Sequence, residues 1–201
     1  MTRPTRKRGA HRRRSLFGGL TLLLSGCGDH ASPTIPPVPY LDVARFMGDW
    51  YVIATIPTRL ERHAYDELES YELRADGRIQ TTFHYRNGSF HAPIKTLRPV
   101  GTVEPDTNNA VWAMQFFWPV AAEYVVVYIN EDYSQTIIGR SARDYAWVMA
   151  RAPTISDADY ARNIQRLSDL GYDVNKVRRV PQSCARAAPA PVCPTEPRGS
   201  P

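Results

Sequence analysis

The sequence predicts an all-β domain over residues 41–182: an eight-stranded antiparallel up-and-down β-barrel, or calyx, with one C-terminal α-helix packed on the barrel. Three observations predict it. Eight segments alternate with period two or are rich in β-branched and aromatic residues, turns centred on Asp, Asn and Gly separate most of them, and a single stretch of helical period follows the last. Eight antiparallel strands can close on themselves, leaving no free edge and an interior wide enough for one small ligand.

Gly48-Asp49-Trp50-Tyr51 opens the first strand, which runs to Thr55; a glycine two residues before the tryptophan allows a sharp entry, and Val52-Ile53 suits a half-buried strand. In the second strand, Glu67 to Arg74, Leu68, Ser70 and Glu72 alternate with Glu69, Tyr71 and Leu73. Asp76-Gly77 then turns the chain into Ile79 to Arg86, where Ile79, Thr81, Phe83 and Tyr85 share a face. After the Asn87-Gly88 turn comes a fourth strand, Lys95 to Glu104, which Pro99 should bend or bulge.

The fifth strand, Ala110 to Trp118, sets Trp112, Met114 and Phe116 on one face, and the sixth, Glu123 to Ile129, does the same with Tyr124, Val126 and Tyr128. Gln135 to Arg140 and Asp144 to Arg151 complete the eight. The helix then begins with Ser156 as N-cap, Asp157 and Asp159 in its first turn, and Gly171 just past its end. Tyr160, Ile164 and Leu167, with Leu170 beside them, form the apolar stripe that should meet the barrel. Tyr172 to Val180 has room for a short ninth strand.

The ends carry different information. Residues 1–26 hold seven basic residues and no acid, then an apolar stretch from Leu16 to Leu24 and Ser25-Gly26 before Cys27, the pattern of an export signal. That stretch falls far below the roughly 18 residues a spanning helix requires. Leu24-Ser25-Gly26-Cys27 resembles a bacterial lipobox, which implies a diacylglycerol on the Cys27 thiol. Arg13-Arg14-Ser15-Leu16-Phe17 resembles a twin-arginine signal and equally suits a Sec leader rich in arginine. Without the leader, 18 basic residues remain of the 25 and face 20 acidic ones, so the mature chain carries no basic patch for nucleic acid.

Residues 27–40 read as a proline-rich tether that holds the domain off a membrane, and residues 183–201 as a proline-rich tail. Asp29 lies one residue beyond the place of the inner-membrane retention signal of enterobacterial lipoproteins, so the expected destination is the outer membrane, facing the periplasm. Cys184 and Cys193 lie close enough in sequence to pair in an oxidising compartment, a bond that would knot the tail.

Gly48-Asp49-Trp50-Tyr51, Asn130-Glu131-Asp132-Tyr133 and Ala150-Arg151-Ala152-Pro153 stand in the order and spacing of the three conserved stations of the lipocalins. The chain resembles that family, and within it the bacterial outer-membrane lipocalins related to apolipoprotein D. The resemblance implies that Arg151 lies across the Trp50 indole at the closed end of a calyx, and that Gly48, Asp132 and Tyr133 support the same end. These are structural roles, so the ligand should be sought in the interior and at the open end.

The inward phase of each strand then offers Tyr71, Phe83, Tyr85, Trp112, Met114, Phe116, Tyr124, Val126, Tyr128 and Trp147 as candidate ligand-binding residues, although each could instead fill the barrel. Such a surface suits an acyl chain in the depth, with tyrosine hydroxyls meeting a carboxyl or headgroup near the rim. Arg59, Glu61, Arg62 and His63 sit in the first long loop, where they could meet a phosphate headgroup or, as we read them, solvate the loop.

Catalysis finds no support. The barrel segment lacks cysteine, its histidines His63, His84 and His91 are scattered without metal-ligand spacing, and no serine has a Gly-x-Ser-x-Gly context, so neither metal nor cofactor is expected. The reading is a lipid-anchored carrier of a fatty acid, lysophospholipid or similar hydrophobic ligand serving envelope maintenance. A structural or adaptor lipoprotein with a filled barrel, and an enzyme acting on a lipid or pigment, are the alternatives.

Overall fold

The computed structural model describes residues 34–183 apart from Trp118. The export signal, Cys27, Cys184 and Cys193 lie outside the described residues. A short helix α1 (Val43–Phe46) leads into β1 (Gly48–Ile56), β2 (Ala64–Leu73), β3 (Ile79–Asn87), β4 (Ile94–Leu97), β5 (Val100–Val103), β6 (Val111–Phe117), β7 (Val120–Ile129), β8 (Gln135–Gly139) and β9 (Ala146–Ala150). Helix α2 (Asp157–Asp169) and the two-residue β10 (Arg178–Arg179) follow.

All pairings are antiparallel, and β1 pairs with both β2 and β9, so the sheet closes. Strands β4 and β5 are the two halves of one stave, broken at Arg98-Pro99 because proline cannot donate to the ladder: Phe83 pairs with Leu97, whereas Ile79 pairs with Gly101. Counted as staves the barrel has the eight the sequence predicts. The first turns are also where Asp-Gly and Asn-Gly place them, with Gly77 and Gly88 at positive φ.

One seam is unusual. β1 pairs with β2 only from Gly48 to Tyr51, and above that point β10 takes the place beside β1, with Thr55 opposite Arg178 and Ala54 opposite Arg179. The Gln182 side-chain amide bridges the gap by donating to Val52 O at 2.8 Å and Glu67 O at 2.9 Å. The C-terminal strand is therefore part of the wall.

Helix α2 begins as its sequence requires, the Ser156 hydroxyl accepting from Asp159 N at 3.0 Å, and it is followed by Gly171 at φ +83°. Its apolar face, Tyr160, Ile164, Leu167 and Leu170, packs on the outward side chains of β1, β8 and β9. The last residues of the expected tether do not stay clear of the domain. Ile35 is buried against this outer cluster, and Val38 N donates to Val126 O at 2.9 Å. Two apolar residues among the prolines are enough to dock the strip.

Candidate functional site

Aromatic side chains and one guanidinium close the lower end of the barrel. Arg151 lies 3.8 Å above the Trp50 ring and donates to the carbonyl oxygens of Asp49, Arg45, Phe46 and Met47 at 2.8–3.0 Å, fastening α1 under the barrel. The Trp50 indole N–H donates to Phe46 O at 2.8 Å. Tyr133 accepts from Asp42 N at 2.9 Å through its hydroxyl, and Asp132 accepts from Ser134 N and Oγ. Those Ser134 donors hold the Asp132 carboxyl below its ordinary pKa. Gly48 sits at φ +92°, and a Cβ there would lie 3.4 Å from the Arg151 guanidinium.

Phe46 then rises into the barrel as a plug. Its ring lies 5.0 Å from Trp50, 5.4 Å from Tyr71 and 5.4 Å from Trp112, and Trp112 stacks on Tyr124 at 5.0 Å. The sequence signal for this plug was modest. Four residues of helix capped by Asp42 could not be told from the end of the tether by periodicity.

Above the plug a cavity of about 330 Å³ opens upward. Its lower wall is Glu69, Thr81, Met114 and Tyr124, its middle Phe83 and Trp147, and its rim includes Thr58–Glu61, Phe116 and Tyr145. Of the ten side chains predicted inside, Phe83, Met114, Phe116, Tyr124 and Trp147 line this space. Tyr71, Trp112 and Val126 belong to the packed floor beneath it. Tyr85 stacks on Phe83 at 5.2 Å and joins a small cluster with Ala64 and Leu97.

Tyr128 requires a correction. A bulge between Val126 and Tyr128 in β7 shifts the register against β8 and turns Tyr128 outward, where Arg166 of α2 lies 3.9 Å over its ring. One extra residue reverses the phase of everything beyond it. The tyrosine hydroxyls expected near the rim are likewise at the bottom. Tyr124 and Tyr71 hydroxyls are 2.6 Å apart, and Tyr71 donates on to Glu69 Oε2.

Beside these hydroxyls the interior holds carboxyls that the sequence pattern did not reveal. Glu61, placed in a solvated loop by its neighbours, is 4% exposed: Oε2 accepts from Thr58 N at 2.9 Å and Oε1 from the Trp147 indole at 2.7 Å. Glu67 is wholly buried, with Oε1 3.3 Å from the Arg178 guanidinium and Oε2 unpartnered among the described residues. Arg178 also donates to Glu61 O and Ala64 O, entering the barrel through the β1–β2 gap that its own strand fills. Glu69 is 9% exposed.

These environments shift protonation in one direction. Burial first, then the Glu61 charge, pushes Glu67 well above the usual carboxylate range despite Arg178. Burial raises Glu69 from 4.5 to about 7, with the Tyr71 hydrogen bond opposing it and Glu61 adding to it. Tyr71 and Tyr124 are pushed up, by burial foremost. The available signal was phase: Glu67 and Glu69 share the alternation of Tyr71. Charged residues are so rarely buried that the rule pointed the other way.

Among the described residues no group of three or more His, Cys, Asp or Glu side chains is placed to hold a metal, and no helix is long and apolar enough to cross a membrane. Residues 41–182 match the family model of the lipocalin-like domain. The chain is 32% identical over 157 residues to the outer membrane lipoprotein Blc of Citrobacter freundii, covering 76% of this chain and 88% of that protein. It is 30% identical to apolipoprotein D of Macaca fascicularis, covering 72% and 79%. Among solved structures, insecticyanin of the tobacco hornworm Manduca sexta superposes with a TM-score of 0.60 at 16% identity, over 75% of this chain and 86% of that one.

Proposed function

Because the chain belongs to the lipocalin-like family, we propose that it binds a slender, single-chain amphiphile in the calyx and carries it within the cell envelope, tethered to the periplasmic face of the outer membrane through a lipid on Cys27. The observation that carries the reading is the cavity. It is lined by Phe83, Met114, Phe116, Tyr124 and Trp147 above a floor packed with aromatics, so a guest entering at the rim meets apolar walls and a closed end. At about 330 Å³ the cavity lies at the lower end of the roughly 300–1,000 Å³ of small-molecule sites, the size of a guest with one alkyl chain. Burying about ten methylenes at about 0.8 kcal/mol each supplies about 8 kcal/mol, from which the cost of association is subtracted.

No step of bond making is part of the reading. The family generally binds and transports. The anchor rests on the lipobox-like Leu24-Ser25-Gly26-Cys27 together with the likeness to an outer membrane lipoprotein. Native mass spectrometry of the protein purified from its host tests the cavity: a lipid-sized adduct that organic extraction removes is expected, and an adduct-free barrel refutes the reading. Cys27→Ala tests the anchor, since it should move the protein from the membrane to the soluble fraction; unchanged fractionation sinks that part alone.

A further inference from the structure

The cavity is apolar on its walls yet ends on an acid. Glu69 projects from β2 into the lower cavity beside Thr81, Met114 and Tyr124 and is about nine-tenths buried. Among the described residues one of its oxygens is engaged: Oε2 accepts from Tyr71, whose hydroxyl is in turn 2.6 Å from that of Tyr124. This two-tyrosine relay holds the carboxyl in place and leaves Oε1 without a hydrogen bond to any described residue, on a side chain that lines the cavity.

The charged groups around it decide what can sit there. Glu61 and Glu67, from the β1–β2 loop and β2, are the other buried acids near Glu69, and Glu67 keeps its Oε2 unpartnered. Arg178 gives its Nη2 to Glu61 O, Ala64 O and Glu67, and its Nε has no partner among the described residues. Arg59 and Arg140 belong to the cavity's lining with Glu123; Arg140 Nη1 is held at 2.9 Å by Asp144 while its Nε has no partner among the described residues, and Glu123 accepts from Ser141 N and Oγ. Beside Glu69 itself the lining is Thr81, Met114 and Tyr124, so the bottom of the cavity presents an acceptor with no cation next to it among the described residues. A guest carboxylate pushed to the bottom would meet like charge; a donor or cation would meet a pre-aimed acceptor.

We propose that the calyx is selective for a long-chain amine, whose ammonium group leads into the cavity and donates to Glu69 while its alkyl chain lies along Phe83, Met114 and Phe116. The inference rests on the calyx being a binding cavity, as proposed above, and names the chemistry of the end that goes in first. Amines of this kind have pKa values near that of lysine, about 10.4, and stay protonated at neutral pH. Glu69, raised to about 7 by burial and by Glu61, must lose its proton to form the pair, so amine affinity should rise with pH from 6 to 8. The Tyr71 and Tyr124 hydroxyls stay protonated throughout that range.

The test is a fluorescence titration of the full-length protein, read from its tryptophans, with dodecylamine, dodecanol and dodecanoate below their micellar concentrations. At pH 7.5 dodecylamine should bind at least about tenfold more tightly than dodecanoate, and its affinity should fall roughly tenfold between pH 8 and 6, a larger change than that of the uncharged dodecanol. Glu69→Gln should remove the amine preference and its pH dependence, with an unchanged far-UV circular dichroism spectrum showing that the variant is folded. Dodecanoate binding as tightly as dodecylamine, or an amine preference that survives Glu69→Gln, overturns the inference and leaves the cavity reading standing. Failure of all three probes to bind overturns the cavity reading itself.

Discussion

Replacing Arg151 with alanine should destabilise the protein without touching its affinity for a guest. The guanidinium lies 3.8 Å over Trp50 and holds four carbonyl oxygens of residues 45–49, with a longer contact of 3.3 Å to Tyr133 O. The cation–π contact contributes about 1 kcal/mol. The bonds to Asp49 and Arg45 are solvent-exposed and contribute little, and Phe46 O keeps the Trp50 indole as a donor. The main polar loss is at Met47 O and Tyr133 O, about 1 kcal/mol each. The sum is about 3 kcal/mol, or roughly 6–12 °C in melting temperature for a domain of this size. Urea unfolding followed by tryptophan fluorescence measures it, with dodecanol affinity determined in the folded baseline. Arg151→Lys should recover less than half, because a point charge cannot fork to several carbonyls. A loss under about 1 kcal/mol, or weakened binding with an unchanged midpoint, would refute this account of the closed end.

Three further outcomes are expected. Glu69 holds its proton more tightly folded, at about 7, than unfolded, near 4.5, so its stabilising effect is complete at acid pH and is lost as pH rises through 7. Unliganded protein should therefore lose up to about 3 kcal/mol between pH 5 and 8, with Glu67 acting in the same sense, and Glu69→Gln should flatten the urea-midpoint profile; a wild-type profile that rises over this range contradicts the assignment. Gly139→Ala would bring a methyl to 2.6 Å from the Tyr172 hydroxyl and 3.1 Å from Ile35, costing about 1–3 kcal/mol in thermal melts, whereas a neutral result would mean that the docked N-terminal strip yields freely. Ser156→Ala removes the N-cap of α2 and should cost about 1 kcal/mol by denaturant titration, with no loss at all arguing that the cap is redundant.

The closed end was legible through the resemblance of three short motifs to those of the lipocalins. Gly48, Trp50 and Arg151 meet as the lipocalin resemblance implies, with Gly48 at positive φ and the guanidinium 3.8 Å over the indole. The interior was legible only in part. Alternation placed Phe83, Met114, Phe116, Tyr124 and Trp147 on the inward face, and all five line the cavity, but alternation holds only while the register does. The bulge after Val126 leaves no strong mark in a run of valines and tyrosines, so Tyr128 was carried to the wrong side of the wall.

What the sequence determined by itself, then, is the barrel: eight staves, their turns, the proline break and the capped helix all follow from local chemistry, because period, turn residues and caps act over a few neighbours. What tertiary structure alone decided is which polar groups are allowed inside. Glu61, Glu67 and Glu69 are held by Trp147, Arg178 and Tyr71; two of these three donors lie more than 80 positions away in the chain, and only closure of the barrel brings them within reach. Burial then raises the carboxyls of Glu67 and Glu69, which turns an apolar cup into one with an acidic floor.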